Sequence, residues 1–159
     1  MEFQTLRSQA LEKLKIADHL VGTTYSLVKE PKLLVSVIEN IFQAMDLTLS
    51  ALLEYEKNFK PIPNYNQTFE DKMEIFRRKI VIKYEVSADV TNFILDVKKT
   101  LDEHKKSSVE FTKKETFVIT DDNYNLTTLK IEDVKKVLAK AKHHVEELLK
   151  IIQYEQYEV

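Results

Sequence analysis

Glycine occurs only once in this chain of 159 residues, at Gly22, and proline occurs only three times. Sandwiches, barrels and folds that hold nucleotides in glycine-rich loops need many tight turns with glycine at positive φ. A chain with one glycine lacks the residues that such turns require. The composition therefore predicts long helices and excludes phosphate-binding loops of the glycine-rich type.

Hydrophobic residues make up 43% of the chain and charged residues 31%, as in a globular domain. At this length we expect one domain over residues 1–159. The absence of cysteine excludes disulfide scaffolds, thiolate metal sites and cysteine nucleophiles. Charges interrupt every apolar run and the N-terminus has no signal-peptide pattern, so we expect a cytoplasmic protein that does not engage a membrane.

Apolar residues at steps of three and four predict the helices. The predicted helices cover residues 3–28, about 32–59, 69–80, 88–106 and about 131–153, with Thr68 and Ser87 as the caps of the third and fourth. The second has so wide an apolar arc that we expect it to be the central helix. Gly22 in the first is either tolerated at about 1 kcal/mol or marks a close helix contact. For the β-branched run from Ile80 to Tyr84, helix and extended chain both remain open, with helix favoured.

The helical period disappears over residues 107–130. Residues 116–120, a polar turn at 121–123 and residues 124–129 predict a small β-hairpin. In the last helix, the apolar positions from Val134 to Ile152 alternate steps of four and three, which is close to the coiled-coil period. We therefore predict an all-α fold, an up-down bundle of four to five helices with a small β-hairpin inserted before the last helix.

Residues 98–114 carry six lysines, three acidic residues and one histidine, in a chain whose net charge is −2. Metal-free RNA cleavage uses a histidine as base near neutral pH and cations that hold phosphate. In the simpler alternative, His104 ends an apolar stripe at a helix C-terminus and the lysines are solvated. The candidate catalytic residues are His104 and Lys99, and the candidate nucleic-acid-binding residues are Lys98, Lys105, Lys106, Lys113 and Lys114.

Other catalytic patterns are missing from the sequence. Neither the Glu-x-x-His pairs of di-iron bundles, nor His-Glu-x-x-His, nor Gly-x-Ser-x-Gly occurs. His143 and Glu147 lie four residues apart, but two ligands are too few for a metal and an exposed ion pair is the simpler interpretation. We predict no metal and no cofactor.

Two long opening helices, shorter helices and a closing helix resemble the HEPN superfamily. The second helix carries the Ala- and Leu-rich runs Ile41-Phe42-Gln43-Ala44-Met45 and Leu49-Ser50-Ala51-Leu52-Leu53, and the resemblance covers most of residues 1–106 and 131–153. The run from Glu103 to Phe111, followed by Phe117-Val118-Ile119, is also similar to archaeal helical proteins. The HEPN resemblance implies a helical bundle, commonly dimeric, that is a metal-independent ribonuclease or a nucleic-acid-associated partner of nucleotidyltransferases.

The HEPN signature is an arginine followed, four to six residues later, by a histidine. Here Lys99 stands at the arginine position relative to His104, and Lys98 gives the longer spacing. An ammonium group does not bind phosphate in the bidentate way of a guanidinium group. On a continuous helix Lys99 and His104 lie about 140° apart, so they converge only if the helix breaks or a second subunit completes the site.

We therefore expect a non-catalytic, HEPN-like bundle that binds a macromolecular partner, protein or RNA, as a homodimer. The alternative is a metal-independent ribonuclease in which His104 is the general acid or base and Lys98 and Lys99 hold the scissile phosphate. A second alternative is a structural subunit of a larger complex, with the hairpin at 116–130 as its exposed contact.

Overall fold

A computed structural model describes residues 2–107, 109–121 and 123–154 of the chain. Helix α1 covers residues 2–28, α-helical at Glu2–His19 and Tyr25–Val28, with a π-helical turn at Leu20–Thr24 between them. Helix α2 is Lys32–Glu56, and α3 covers residues 69–81 as Phe69–Ile75 and the π-helical Phe76–Val81. Helix α4 is Ala88–Lys106, strands β1, β2 and β3 are Val109–Lys113, Thr116–Thr120 and Leu126–Leu129, and helix α5 is Ile131–Tyr154. The fold is helical with a small sheet before the last helix.

Helix α2 is the central helix, as its wide apolar arc predicts. It contacts α1, α3, α4 and α5. Its fully buried members include Leu34, Val37, Met45, Ala51 and Leu53. Because these side chains point in several directions around the axis, the single core of the protein forms around α2.

The expectation that charges exclude a membrane span does not hold for α2, whose length and composition also suit one. The mean hydropathy of an 18-residue window within Lys32–Glu56 is 1.3, and 56% of that window is buried inside the protein. Packing against four other helices accounts for that hydropathy, because a central helix must be apolar on most sides.

Helix α1 packs along α2 through the predicted stripe up to Tyr25. The predicted last member of the stripe, Val28, is instead 62% exposed, because α1 ends at the next residue, where Lys29 has a left-handed backbone (φ 51°). Gly22 lies in the π-helical turn, and a Cβ built on it meets no atom within 4 Å. Gly22 therefore does not mark a close helix contact.

Local capping follows the sequence. The Asp71 backbone N–H donates to Thr68 Oγ1 (3.3 Å), and the Asp89 N–H donates to Ser87 Oγ (3.2 Å). The Asp71 carboxylate accepts a hydrogen bond from the Asn66 N–H, so the reciprocal bond of a capping box is replaced by one to the preceding loop. Between these caps, the run from Ile80 to Tyr84 is helical through Val81 and then forms a turn, not extended chain.

The predicted hairpin is part of a three-stranded antiparallel sheet with the order β1-β2-β3. Strands β2 and β3 pair with Phe117 opposite Leu129, as a hairpin over these residues requires. The sequence-based prediction missed β1, which pairs with β2 through a two-residue turn at Lys114 and Glu115. Successive residues of a strand face opposite sides of the sheet, so Phe117 and Ile119 face the core and Phe111, Val118 and Thr128 share the outer face.

Candidate functional site

The lysine-rich segment 98–114 covers the last turns of α4, strand β1 and the β1–β2 turn. The structure places its three acidic residues against other groups. Asp102 accepts a hydrogen bond from Lys98 Nζ (2.7 Å), and Glu103 accepts one from Thr127 Oγ1 (2.8 Å). Glu110 lies beside His104. The acidic side chains of this segment are therefore engaged in contacts within the fold.

The lysines of the segment are mostly exposed. Five of them are exposed and take part in none of the ion pairs between described residues: Lys99, Lys105, Lys106, Lys113 and Lys114. Three helical positions in the second half of α4 and two positions at the β1–β2 turn thus present ammonium groups to solvent. Such groups bind phosphate as mobile point charges, independently of sequence.

Lys98 differs from the other five. Its side chain is 21% exposed and forms the ion pair with Asp102. Its ammonium group lies 5.7 Å from the ring centroid of Phe42 and 5.9 Å from that of Phe69. Two aromatic rings and a carboxylate therefore hold Lys98 in place, and the five exposed lysines are the better candidates for phosphate contacts.

Lys98, Lys99 and Lys106 line a cleft of about 520 Å³ beside α4, together with Asp102, Glu103 and Asp121. Asp121 accepts hydrogen bonds from the Asn123 and Asn125 backbone N–H groups and from the Asn125 side chain, and these bonds, the side-chain bond above all, lower its pKa. The cleft thus holds three carboxylates and three ammonium groups. We therefore expect an anion to bind at the exposed Lys99 and Lys106 and not beside the carboxylates.

His104 is not among the described residues that line this cleft. Its Nδ1 atom is buried and lies 2.9 Å from Glu110 Oε1, at ion-pair distance but not aligned as a hydrogen bond, while 28% of the side chain is exposed. The ring centroid of Phe117 is 6.4 Å from that of His104. Because α4 is continuous through this region, the structure does not bring His104 and Lys99 into one cleft.

A second groove, of about 640 Å³, lies between α4 and α5. His143 and His144 line it with their ring centroids 5.6 Å apart, and the Phe93 ring lies 5.1 Å from His144. Burial lowers the pKa of His144, and the charge of His143 lowers it further. The sequence offered a signal for the α5 side of this groove, because residues 134–145 contain four lysines and two histidines but no acidic residue.

No group of three or more histidine or carboxylate side chains in the described part of the chain is arranged to hold a metal ion. His143 and Glu147 form no close ion pair among the described residues. Lys150 Nζ donates to Glu147 Oε1 at 2.8 Å, and this bond lowers the pKa of the carboxylate, which the charge of His143 lowers further.

Comparison of this chain with family models, with curated proteins and with solved structures gives no match. Its function must therefore be argued from the geometry of its own residues.

Proposed function

We propose that this protein is a non-catalytic, HEPN-like, up-down helical bundle that binds RNA through the lysines around the end of α4. One observation supports the proposal above all. The acidic side chains of segment 98–114 are engaged within the fold, whereas Lys99, Lys105, Lys106, Lys113 and Lys114 are exposed and have no ion-pair partner among the described residues.

The binding is expected to depend steeply on salt, because each phosphate contact releases condensed counterions. If all five lysines engage a single strand, the slope of log K against log salt is about −3.5. Contacts of this kind position the nucleic acid but do not read its sequence. The proposal thus predicts moderate affinity with little sequence preference.

The test is fluorescence anisotropy of a labelled RNA titrated with the protein at several salt concentrations. The variant Lys105→Gln/Lys106→Gln should bind more weakly at low salt, and its slope should be shallower by about 1.4. The matched control is Lys15→Gln/Lys32→Gln, which removes the same charge from exposed positions elsewhere in the chain. Equal effects of the two double variants would show that only net charge matters and would contradict the proposal.

A metal-independent ribonuclease is the second candidate, because the His104 imidazole lies against the Glu110 carboxylate. A carboxylate beside one ring nitrogen orients the imidazole and leaves the other nitrogen for proton transfer. This candidate predicts RNA cleavage in EDTA that His104→Ala abolishes. Cleavage that persists in His104→Ala would reject His104 as a catalytic residue.

We also propose a homodimer. Leu11 on α1 is 38% exposed and lines a cleft between α1 and α5 together with the buried Leu14, Val145 and Leu149. A twofold dimer through this cleft would cover the Leu11 side chain. Light scattering after size exclusion should give twice the mass of the 18.7 kDa chain, and Leu11→Glu should give the monomer.

A protein that binds no RNA but leaves cell extract in a stable complex would favour the structural-subunit alternative.

A further inference from the structure

Two aromatic side chains near the lysines are exposed although nothing in the packing of the described core uses them. Tyr124, in the β2–β3 loop, is 87% exposed, and Phe111, on the outer face of β1, is 44% exposed. Exposed aromatic rings on a sheet and its loops are the surfaces on which single-stranded nucleic-acid bases stack.

The backbone of Tyr124 is strained. Its φ is +64°, in the left-handed region that a bulky side chain adopts only at a cost. Hydrogen bonds hold the loop in this form: the Tyr124 N–H donates to the Asp121 carbonyl (3.1 Å), and the Asp121 carboxylate accepts from the Asn123 and Asn125 N–H groups. Glycine or asparagine would suit this position better, so folding alone does not explain a tyrosine there.

The loop also lies beside the lysines. Asn123, the residue before Tyr124, lines the same cleft as Lys99 and Lys106. On the outer face of β1, Phe111 is two residues from Lys113 and therefore points to the same side. Phe111 thus shares a strand face with a cationic side chain, and the loop that carries Tyr124 borders the cleft lined by Lys99 and Lys106.

Resting on the proposed RNA binding, we propose that the ligand is single-stranded RNA whose bases stack on Tyr124 and Phe111 while its phosphates contact the neighbouring lysines. A duplex keeps its bases stacked on one another, so it can use the lysines but not the two rings. The protein therefore binds a single strand more tightly than a duplex of equal length.

The chain has no tryptophan, so Tyr124→Trp places a single fluorescent reporter on the loop. An unstructured oligouridylate of about ten nucleotides, roughly the site size of such surfaces, should quench this tryptophan. Inorganic polyphosphate binds the lysines without stacking and should leave it unquenched. The control reporter is Ile82→Trp. Ile82 is exposed and precedes the first residue of α4, Ala88, whereas the lysines lie towards the last. The RNA should leave the emission of this reporter unchanged.

Variants separate stacking from charge. Tyr124→Gly removes the ring and suits the left-handed backbone, so the thermal midpoint should not fall, while the affinity for oligouridylate should drop about tenfold. The slope of log K against log salt should be the same for Tyr124→Gly as for the unaltered protein, because no lysine is lost. Phe111→Thr should weaken binding in the same way and keep a residue suited to a strand.

Two results would overturn the inference and leave the RNA-binding function intact: Tyr124→Gly binding as tightly as the unaltered protein, or a duplex binding as tightly as the single strand. Failure of every RNA to bind, with polyphosphate also unbound, would overturn the proposed function itself. The two failures are therefore distinguishable in one set of titrations.

Discussion

The Nδ1 atom of His104, in the last turn of α4, lies 2.9 Å from Oε1 of Glu110 on strand β1. One residue earlier, Glu103 accepts a hydrogen bond from Thr127 on strand β3. Side chains from adjacent positions of one helix thus contact both outer strands of the sheet. These contacts fix the orientation of the sheet relative to α4.

Replacement of His104 by alanine should therefore destabilise the fold without removing RNA binding. The His104 and Glu110 side chains are both about one-quarter exposed, so the expected loss in the free energy of unfolding is about 1 kcal/mol. Urea denaturation measures this loss, with Lys105→Ala as the exposed neighbouring control. A tenfold loss of RNA affinity in a folded His104→Ala protein would contradict the assignment of His104 as a structural residue.

The lowered pKa of His144 makes stability depend on pH. The unfolded chain takes up a proton near the ordinary value of 6.5, whereas the folded chain does so only at lower pH. Between the two values the unfolded state binds more protons, so stability is fully present above 6.5 and decreases as pH falls through this window. An NMR titration should place the midpoint of the His144 imidazole below that of a free histidine.

Two variants with opposite effects control this measurement. Asp89 raises the pKa of His144 and Lys140 lowers it. Asp89→Asn should therefore move the midpoint further down, and Lys140→Gln should move it up. A midpoint that is unchanged in both variants would contradict the assigned electrostatic environment of the groove.

Glu56 is a buried carboxylate at the end of α2 whose side chain is 3% exposed. It accepts hydrogen bonds from Lys83 Nζ (2.7 Å) and the Tyr84 hydroxyl (2.9 Å). Lys83→Met should cost about 2–3 kcal/mol in calorimetry or urea denaturation, less than for a fully buried pair because the Lys83 side chain keeps 32% of its exposure. Adding Glu56→Gln should recover much of this loss, because the amide still accepts from Tyr84 and no charge is left buried. If the double variant is less stable than Lys83→Met, the carboxylate does not depend on Lys83 for its charge compensation.

Gly22→Ala should stabilise the protein. The added methyl group meets no atom within 4 Å, and alanine restricts the unfolded chain more than glycine does. The expected gain is about 0.5–1 kcal/mol, measured as an increase in the urea midpoint at constant m value. A loss of stability would mean that the π-helical turn at Leu20–Thr24 requires the glycine backbone.

Periodic burial made the helices predictable from the sequence. The stripe from Val134 to Ile152 is buried at all six predicted positions, and the caps at Thr68 and Ser87 are present, because both signals depend on neighbours along the chain. Strand β1 was missed because five residues with two charges carry a weak local signal, and its pairing with β2 depends on tertiary context.

The site was less predictable than the fold. The sequence locates the lysines, but the pairing of Lys98 with Asp102 and of His104 with Glu110 depends on rotamers and on a strand that was not anticipated. The exposure of Tyr124 depends on a five-residue loop closed by Asp121. Such contacts join residues that follow no repeating spacing in the sequence, so the sequence pattern does not predict them.

The edge strand β3 has consequences for handling the protein in solution. Its residues, Leu126-Thr127-Thr128-Leu129, carry no charge, and among the described strands it pairs only with β2. Uncharged edge strands are templates for intermolecular β-sheet growth, whereas charged residues suppress it. Concentrated or gently heated samples should therefore aggregate through this edge first, and Thr128→Lys should delay the rise in turbidity without altering the monomer fold.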